Sequence, residues 1–263
     1  MSLALMLTHG EHFLLQCPQL NRLCKTLIMA RLPRLVIPHQ AHHITQAGID
    51  NKIIFVDTAD YQVFLDWLKS GAKQFAVQVH AYTILPNRFH LLVTPTDELG
   101  LGKLMQWLGR YYVPYFNAKY QRSGFLWQGR FKATVLESSQ YFLPCCVMLE
   151  EMAVRQHLVQ EPSSYWWSSC QHHLGMRTDP LLADHAMYWG LGNTPFQREA
   201  AYRQLLENGL SSTLLQAIND ATNKAWVLGS ATFKAEMAKL TERRVEPVSR
   251  GRPRKNAVIS TSS

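Results

Sequence analysis

The sequence lacks the features that mark membrane-spanning, zinc-binding and disulfide-rich proteins. None of its apolar runs approaches the roughly 20 residues that a membrane-spanning helix needs. Its cysteines number five, two of them are adjacent, and none forms a CxxC pair with zinc-ligand spacing. We therefore expect reduced thiols, no membrane partner and a cytoplasmic location.

Acidic residues are also scarce relative to basic ones. The chain has 27 Lys and Arg against 19 Asp and Glu, a formal net charge of +8. This balance favours an anionic partner, and nucleic acid is the commonest partner of that kind. Apolar residues make up 47% of the chain, which is ordinary for a globular protein and excludes wholesale disorder.

The first residues lack the pattern of a signal peptide. They are mildly apolar but interrupted by His9, Glu11 and His12, with no basic start followed by an unbroken apolar core. Met29 stands directly before ARLPRLVIP. We therefore expect translation to begin at Met29, and residues 1–28 to be a non-native or disordered extension.

Apolar periodicity predicts the element order β-α-β-β-α-β-α in the first part of the chain. This order is typical of an α+β fold with a ferredoxin-like antiparallel sheet and helices on one face. The predicted elements are a strand over 41–47, a helix over 58–70 capped by Thr58, a hairpin over 75–94 turning at Pro86–Asn87, a helix over 101–119, a strand within 126–137 and a helix over 139–156.

The character of the sequence changes after residue 172. Three short helices are predicted over 197–209, 212–225 and 232–240, and they form a weak helix-turn-helix-like pattern. The last segment is basic, rich in Pro and Gly, and without apolar periodicity. We expect a main domain over 29–172, a helical appendage over 173–242 and a disordered basic tail over 243–263.

Four stretches together resemble one family. They are LPNRFHLLV, GRYYVPYFN, LWQGRFKATVLE and, at residues 166–169, WWSS. In this order and spacing they are similar to the IS200-like transposases of the HUH type, above all to the branch of REP-associated tyrosine transposases. LGSATF and the terminal GRPRK are similar to the C-terminal region of larger members. The resemblance covers roughly residues 29–255.

The resemblance implies a metal-dependent reaction on DNA. In the family, two histidines two residues apart on a central strand share one face and hold a divalent metal, Mg or Mn. A tyrosine on the following helix attacks the scissile phosphate and becomes linked to the 5′ end. The expected partner is single-stranded DNA folded into imperfect hairpins. Relatives act as monomers or dimers, so a homodimer is left open.

The chain departs from the family pattern at two places. The first histidine is replaced by Arg88, which has no lone pair for a metal, so His90 is left as a partial site. Cys146 stands at the nucleophile position, and Glu150–Glu151 replace the family's Asn-Pro. Tyr141 is a weak alternative nucleophile, because five residues along a helix place it roughly 140° away. We predict that this protein does not cleave by the family mechanism.

Basic and polar residues on the predicted strands, helices and tail are candidates for DNA binding. Arg88 has two open interpretations, a grip on a DNA phosphate or a salt bridge to Glu137 or Glu150. The terminal run resembles an AT-hook core. The full set is Arg88, Arg110, Gln128, Arg130, Lys132, Arg250, Arg252, Arg254 and Lys255. Structural roles are expected for His42, His43, His80, Trp166 and Trp167.

The predicted function is DNA binding within the IS200-like family, in transposition or hairpin processing, with impaired catalysis. One alternative is an active tyrosine-type transposase or endonuclease with unorthodox residues, which would form covalent adducts with DNA. Another is a non-enzymatic DNA-binding regulator domesticated from a transposase, which would bind DNA in a salt-sensitive manner. A decaying member that binds little DNA is the third.

Overall fold

A four-stranded antiparallel sheet forms the centre of the fold in the computed structural model, which describes residues 34–247. The strands are β1 (Ala41–Ala47), β2 (Val77–Leu85), β3 (Arg88–Pro95) and β4 (Lys132–Leu136). Their order across the sheet is β2-β3-β1-β4. Two consecutive β-hairpin strands thus lie beside β1, and β4 forms the other edge, which is the ferredoxin-like arrangement. The predicted fold class is confirmed.

Helices make up about half of this part of the chain. In chain order they are α1 (Thr58–Gln74), α2 (Gly100–Lys119), α3 (Ser138–Glu150), α4 (Met152–Arg155), α5 (Cys170–His173), α6 (Ala186–Trp189), α7 (Pro195–Asn208), α8 (Ser212–Lys224) and α9 (Ala231–Lys239). Within the described range, no helix has the length and apolar character required to cross a membrane.

Helix α1 begins with a cap that the sequence analysis assigned to the wrong residue. The N-cap is Asp57, whose carboxylate accepts the amide of Asp60 at 3.1 Å, while the Asp60 carboxylate accepts the amide of Asp57 at 3.3 Å. This reciprocal pair is a capping box. Thr58, the predicted cap, is instead the first helical residue, because the acid before it already satisfies the free amide.

Helices α1 and α2 cover one side of the sheet, here called the first face. Alternate strand residues such as Ile44, Phe89 and Leu91 project from the sheet into this layer and are fully buried. Phe64 of α1 and Leu108 of α2 belong to the same apolar cluster. This layer is the one that the predicted helices at 58–70 and 101–119 imply.

The opposite side, here called the second face, is covered by α3 and helices that follow it, so the helices lie on both faces of the sheet and not on one face as predicted. Ala81 and Leu92 of the sheet share one buried cluster with Cys146 of α3, Tyr202 of α7 and Ile218 of α8. The helices after residue 172 therefore pack onto the same sheet as the first domain. Apolar spacing within a helix shows which of its faces is buried, but not which distant surface that face covers. A domain boundary at residue 172 stays a prediction.

Candidate functional site

Two buried histidines meet on the second face, at the position where the family resemblance implies a metal. In the pairing of β1 with β3, His90 lies opposite Thr45 and His43 lies opposite Leu92. Since alternate residues share a face, both rings project to the same side. Nε2 of His43 lies 3.1 Å from Nδ1 of His90, and the two rings stack with centroids 5.3 Å apart.

A hydroxyl from α8 fixes the direction of hydrogen bonding through the pair. Thr222 donates its one hydroxyl proton to the carbonyl of Ile218 at 2.9 Å. It must therefore accept from Nδ1 of His43, which lies 2.7 Å away. Nε2 of a neutral His43 is then an acceptor, so Nδ1 of His90 donates to it. Nε2 of His90 is left to accept, at a weak 3.4 Å, from Thr45.

Burial explains why both histidines have the neutral state that these hydrogen bonds require. Burial lowers the pKa of His43 from 6.5 to about 3. Burial also lowers the pKa of His90 well below 6.5, and the neighbouring His43 and the charge of Arg88 lower it further. Both rings are therefore neutral near pH 7, as the hydrogen-bond directions demand. Thr222 is 2% exposed, so α8 covers the pair.

These residues do not fit a divalent cation. Arg88 has no lone pair to offer, and its charge opposes a cation nearby. Each nitrogen of His43 and His90 already takes part in a hydrogen bond. Within residues 34–247, no group of three or more His, Cys, Asp or Glu side chains is placed to hold a metal ion. Mg and Mn prefer oxygen ligands, which this pocket does not supply as carboxylates.

Arg88 forms neither of the salt bridges that the sequence analysis left open. Its Nη2 donates to Oδ1 of Asn51 at 2.6 Å, and its Nε is buried without a hydrogen-bond partner. Glu137 instead accepts from the amide and hydroxyl of Ser230. The salt-bridge interpretation is thus wrong for both acids, since Glu150 is also occupied by other donors, described below.

Cys146, which the family resemblance places at the nucleophile position, is buried within α3. Cys146 is 1% exposed and belongs to the apolar cluster of the second face. Burial, and next the charge of Glu150, raises the pKa of its thiol well above 9. The thiol is therefore protonated near pH 7, and a thiol is a far weaker nucleophile than a thiolate. Tyr141, the weak alternative, is half-buried on the same helix.

A buried carboxylate at the end of α3 forms a polar cluster that the sequence analysis missed. Glu150 is fully buried and accepts three hydrogen bonds, from Ser169 at 2.5 Å, from Nδ1 of His173 at 2.6 Å and from the hydroxyl of Tyr202 at 2.8 Å. The cluster ties α3 to α5 and α7. The sequence showed Glu150 only as a replacement for a family residue, and its partners lie 19 to 52 positions away.

The candidate DNA-binding residues that precede and begin β4 are exposed. The backbone amide of Gln128 donates to Ala47, and its side-chain oxygen accepts from the amide of Asp50 at 2.7 Å. Arg130 lies before the strand that was predicted within 126–137, because β4 begins only at Lys132. Gly129, with φ of 63°, turns the chain just before it. Arg110 is exposed on α2.

The remaining predicted residues divide between structural and exposed positions. His42 and His80 are buried and hydrogen-bonded, which agrees with structural roles. Trp167 stacks on Tyr61 with centroids 4.7 Å apart. Trp166 is 52% exposed and lies under the guanidinium of a neighbouring arginine, so its assignment to packing was wrong. The tail residues Arg250, Arg252, Arg254 and Lys255, and residues 1–28, lie outside the described residues.

Comparisons with known proteins agree with the resemblance noted in the sequence. The family model described as "Transposase IS200 like" matches residues 38–142, from just before β1 into α3. No curated protein matches the chain. The structure of a REP-associated tyrosine transposase bound to a REP hairpin is 14% identical, with a TM-score of 0.46, over 60% of this chain and 92% of that one. A Deinococcus radiodurans R1 protein assigned as a transposase is 18% identical, with a TM-score of 0.32, over 43% of this chain and 92% of that one.

Proposed function

Because residues 38–142 match the model of the IS200-like transposase family, we propose that this protein binds DNA without cleaving it by the family's tyrosine mechanism. A transposase-related role in DNA processing is the general function that the family supports. The proposed ligand is single-stranded DNA folded into an imperfect hairpin, the kind of DNA on which the family acts. The proposed binding needs neither a metal nor a covalent intermediate.

The observation that carries the proposal is the closed hydrogen-bond chain between Thr45, His90, His43 and Thr222. A metal-assisted reaction needs free lone pairs that face a solvent-accessible phosphate. Here the lone pair of one ring is used by the other ring, and α8 covers the pair. Freeing the lone pair of His43 Nε2 for a metal would break its buried hydrogen bond from His90, a loss that costs on the order of 1–3 kcal/mol.

The nucleophile position supports the same proposal independently. Attack on phosphorus would require Cys146 to lose its proton inside an apolar cluster, next to the carboxylate of Glu150, where burial and charge both oppose the thiolate. The chemistry of the family instead uses a tyrosine. The two replacements lie on different elements, β3 and α3, so one compensating change does not repair both.

DNA binding itself is supported by charge and exposure. The chain carries a formal net charge of +8. Arg110, Arg130 and Lys132 are exposed, and Lys132 donates to Oδ1 of Asn223 at 2.8 Å, which orients its ammonium at the edge of the sheet. Exposed basic groups of this kind contact the phosphate backbone and give binding that weakens as salt rises. We include the basic tail in the proposed DNA surface.

The proposal is tested by incubating the full chain with single-stranded hairpin DNA from its genomic neighbourhood, in the presence of Mn²⁺ or of a chelator. We expect a native-gel shift that weakens with salt and is the same with Mn²⁺ and with chelator. On a denaturing gel we expect intact DNA and no covalent band. A covalent band in Mn²⁺ would contradict the proposal.

If a covalent band did form, matched variants would identify the residue that attacks the DNA. Tyr141→Phe removes only a hydroxyl, so loss of the covalent band in this variant would assign the nucleophile to Tyr141. Cys146→Ser would address the thiol in the same way. The absence of any salt-sensitive shift would instead remove DNA binding, and with it the whole proposal.

A further inference from the structure

We propose that a cleft beside the edge strand β4 binds a phosphate group of the DNA backbone through Arg34 and Arg130. The inference rests on the DNA binding proposed above and adds a specific contact to it. The cleft has a volume of about 220 Å³, and Arg34, Gln46, Gln106, Trp127 and Arg130 contribute polar or aromatic side chains to its wall. We call it the basic cleft.

The basic cleft is distinguished by the sign of its charge. Of the described residues that line it, two are arginines and none is an aspartate or glutamate. Two other clefts of similar size contain acids among their lining residues, one with Asp66 and Asp179 and the other with Glu199 and Glu207. A lining of one sign with aromatic walls suits an anion rather than a cation or a zwitterion.

Arg34 is held in place by its neighbours in a way that leaves its charge uncompensated. Its Nε donates to the carbonyl of Phe131 at 3.2 Å, and its guanidinium carbon lies 3.6 Å from the centre of the Phe131 ring. Neither contact neutralises it. Within residues 34–247, neither Arg34 nor Arg130 forms an ion pair. A guanidinium with an ordered stem and free terminal amino groups suits a phosphate oxygen.

The arginines also repel one another. Partial burial, and next the charge of Arg130, lowers the pKa of Arg34 from 12.5 to about 10. The same Arg130 contributes to a lowered pKa of Arg243, after burial. The guanidinium of Arg130 therefore repels that of Arg34 and that of Arg243. A bound phosphate would relieve the repulsion, which gives binding a favourable electrostatic contribution beyond that of a single surface charge.

The position of the basic cleft separates it from the histidine pair. Phe89 and Leu108, which belong to the core of the first face, line its floor. His90, the next residue along β3, points to the second face. Lys132 is exposed at the start of β4, two residues after Arg130. Because Lys132 lies opposite Thr45 and donates to Asn223 of α8, its side chain is on the second face, so the basic cleft is a contact separate from both Lys132 and the histidine pair.

The test measures the affinity of the full chain for a labelled hairpin oligonucleotide with single-stranded flanks across a range of salt concentrations. Arg130→Ala should weaken binding by roughly three- to tenfold and reduce the slope of log affinity against log salt by about 0.7, the value for one phosphate of a single strand. Arg34→Gln should have a similar effect. Arg203→Ala, an exposed arginine on α7, removes the same net charge and should change affinity by less than about twofold.

A chemical measurement avoids relying on variants that fold poorly. Phenylglyoxal modifies accessible guanidinium groups, and mass spectrometry reports each site. The hairpin DNA should protect Arg34 and Arg130 but not Arg203. Protection of both arginines by inorganic phosphate and not by DNA would overturn the assignment to a nucleic-acid backbone.

The failure of this inference differs from the failure of the proposed function. If the unmodified chain does not bind the hairpin, both are wrong. If it binds, and Arg130→Ala behaves like Arg203→Ala with no protection of Arg34 or Arg130, DNA binding stands and only the basic cleft is refuted.

Discussion

Mild acid should destabilise this protein strongly, because it buries several neutral histidines. His42 and His43 are fully buried, and His80 is 2% exposed. Burial lowers the pKa of His42 and His80 from 6.5 to about 4, and that of His43 to about 3. Below about pH 6.5, these histidines therefore take up protons in the unfolded chain but remain neutral in the folded protein. The stability that the neutral histidines contribute is fully present above pH 6.5 and is lost as the pH falls from 6.5 toward 4 for His42 and His80, and toward 3 for His43.

The magnitude follows from the distance between the unfolded pKa and the working pH. The pKa of a histidine in the unfolded chain is 6.5, which is about 1.5 units above a working pH of about 5. Each unit corresponds to about 1.4 kcal/mol of stability. Each buried histidine thus costs about 2 kcal/mol, and His42, His43 and His80 together cost about 6 kcal/mol. His90, whose pKa is also lowered by burial, acts in the same direction. This loss is comparable with the whole stability of many domains.

Urea unfolding of the full chain, followed by circular dichroism at about pH 7.5 and pH 5, measures the difference. His80→Asn is the test variant, because an amide replaces Nδ1–H as the donor to the carbonyl of Ala183 and cannot take up a proton. It should reduce the difference between the two pH values by about 2 kcal/mol. His39→Asn is the control, since His39 is exposed and its φ of 61° suits asparagine.

The reasoning is refuted if the free energy of unfolding changes by less than about 1 kcal/mol between the two pH values. It is also refuted if His39→Asn reduces the pH dependence as much as His80→Asn does. The first outcome would mean that the buried rings take up protons in the folded protein, and the second would mean that burial is not the source of the pH dependence.

Four further predictions test packing and burial. A Cβ at Gly71 would lie 2.7 Å from the Trp107 side chain, so Gly71→Ala should lower the free energy of unfolding by roughly 1–3 kcal/mol. Gly102→Ala, which meets nothing within 4 Å on α2, should raise it by up to about 1 kcal/mol in the same urea assay. Tyr202→Phe leaves Glu150 with one hydrogen-bond donor fewer and should lower the free energy of unfolding by roughly 1–3 kcal/mol. Tyr111→Phe, on the surface, should leave it almost unchanged. Equal losses in the two variants would contradict the role of the Glu150 cluster. The thiols of Cys145, Cys146 and Cys170 are buried, and burial raises the pKa of each. Peptide-level mass spectrometry should therefore find them unlabelled by iodoacetamide in the native protein and labelled in urea. Labelling of Cys146 in the native protein would show a reactive thiol.

The elements of the sheet and its first layer were predictable because their signals are local. The strand over 41–47 and the return strand from residue 88 to residue 95 agree with β1 and β3 as observed. Alternation and a Pro-Asn turn are properties of neighbouring residues, and they hold wherever the hairpin packs. The cap of α1 was misplaced by one residue, because Asp57 and Thr58 are both good caps and only the geometry of Asp60 selects between them.

The candidate site was predicted only where its residues are close in sequence. Arg88, at the position where the family resemblance implies a metal ligand, is visible within one strand. The partner that fixes the histidine pair, Thr222, lies 179 residues from His43. Arg34 meets Phe131 across 97 residues. No periodicity or motif links positions so far apart in a single chain.

The sequence by itself determined the fold class, and it carried the family resemblance and the two predicted departures from the family's catalytic pattern, because periodicity, residue spacing and the absence of a lone pair on arginine are properties of a few neighbouring residues. Only the tertiary structure decided which nitrogens of His43 and His90 are protonated, that α8 covers them, and that Arg34 and Arg130 share a cleft. Those properties depend on burial and on contacts between distant segments, and both arise when the C-terminal helices pack onto the sheet.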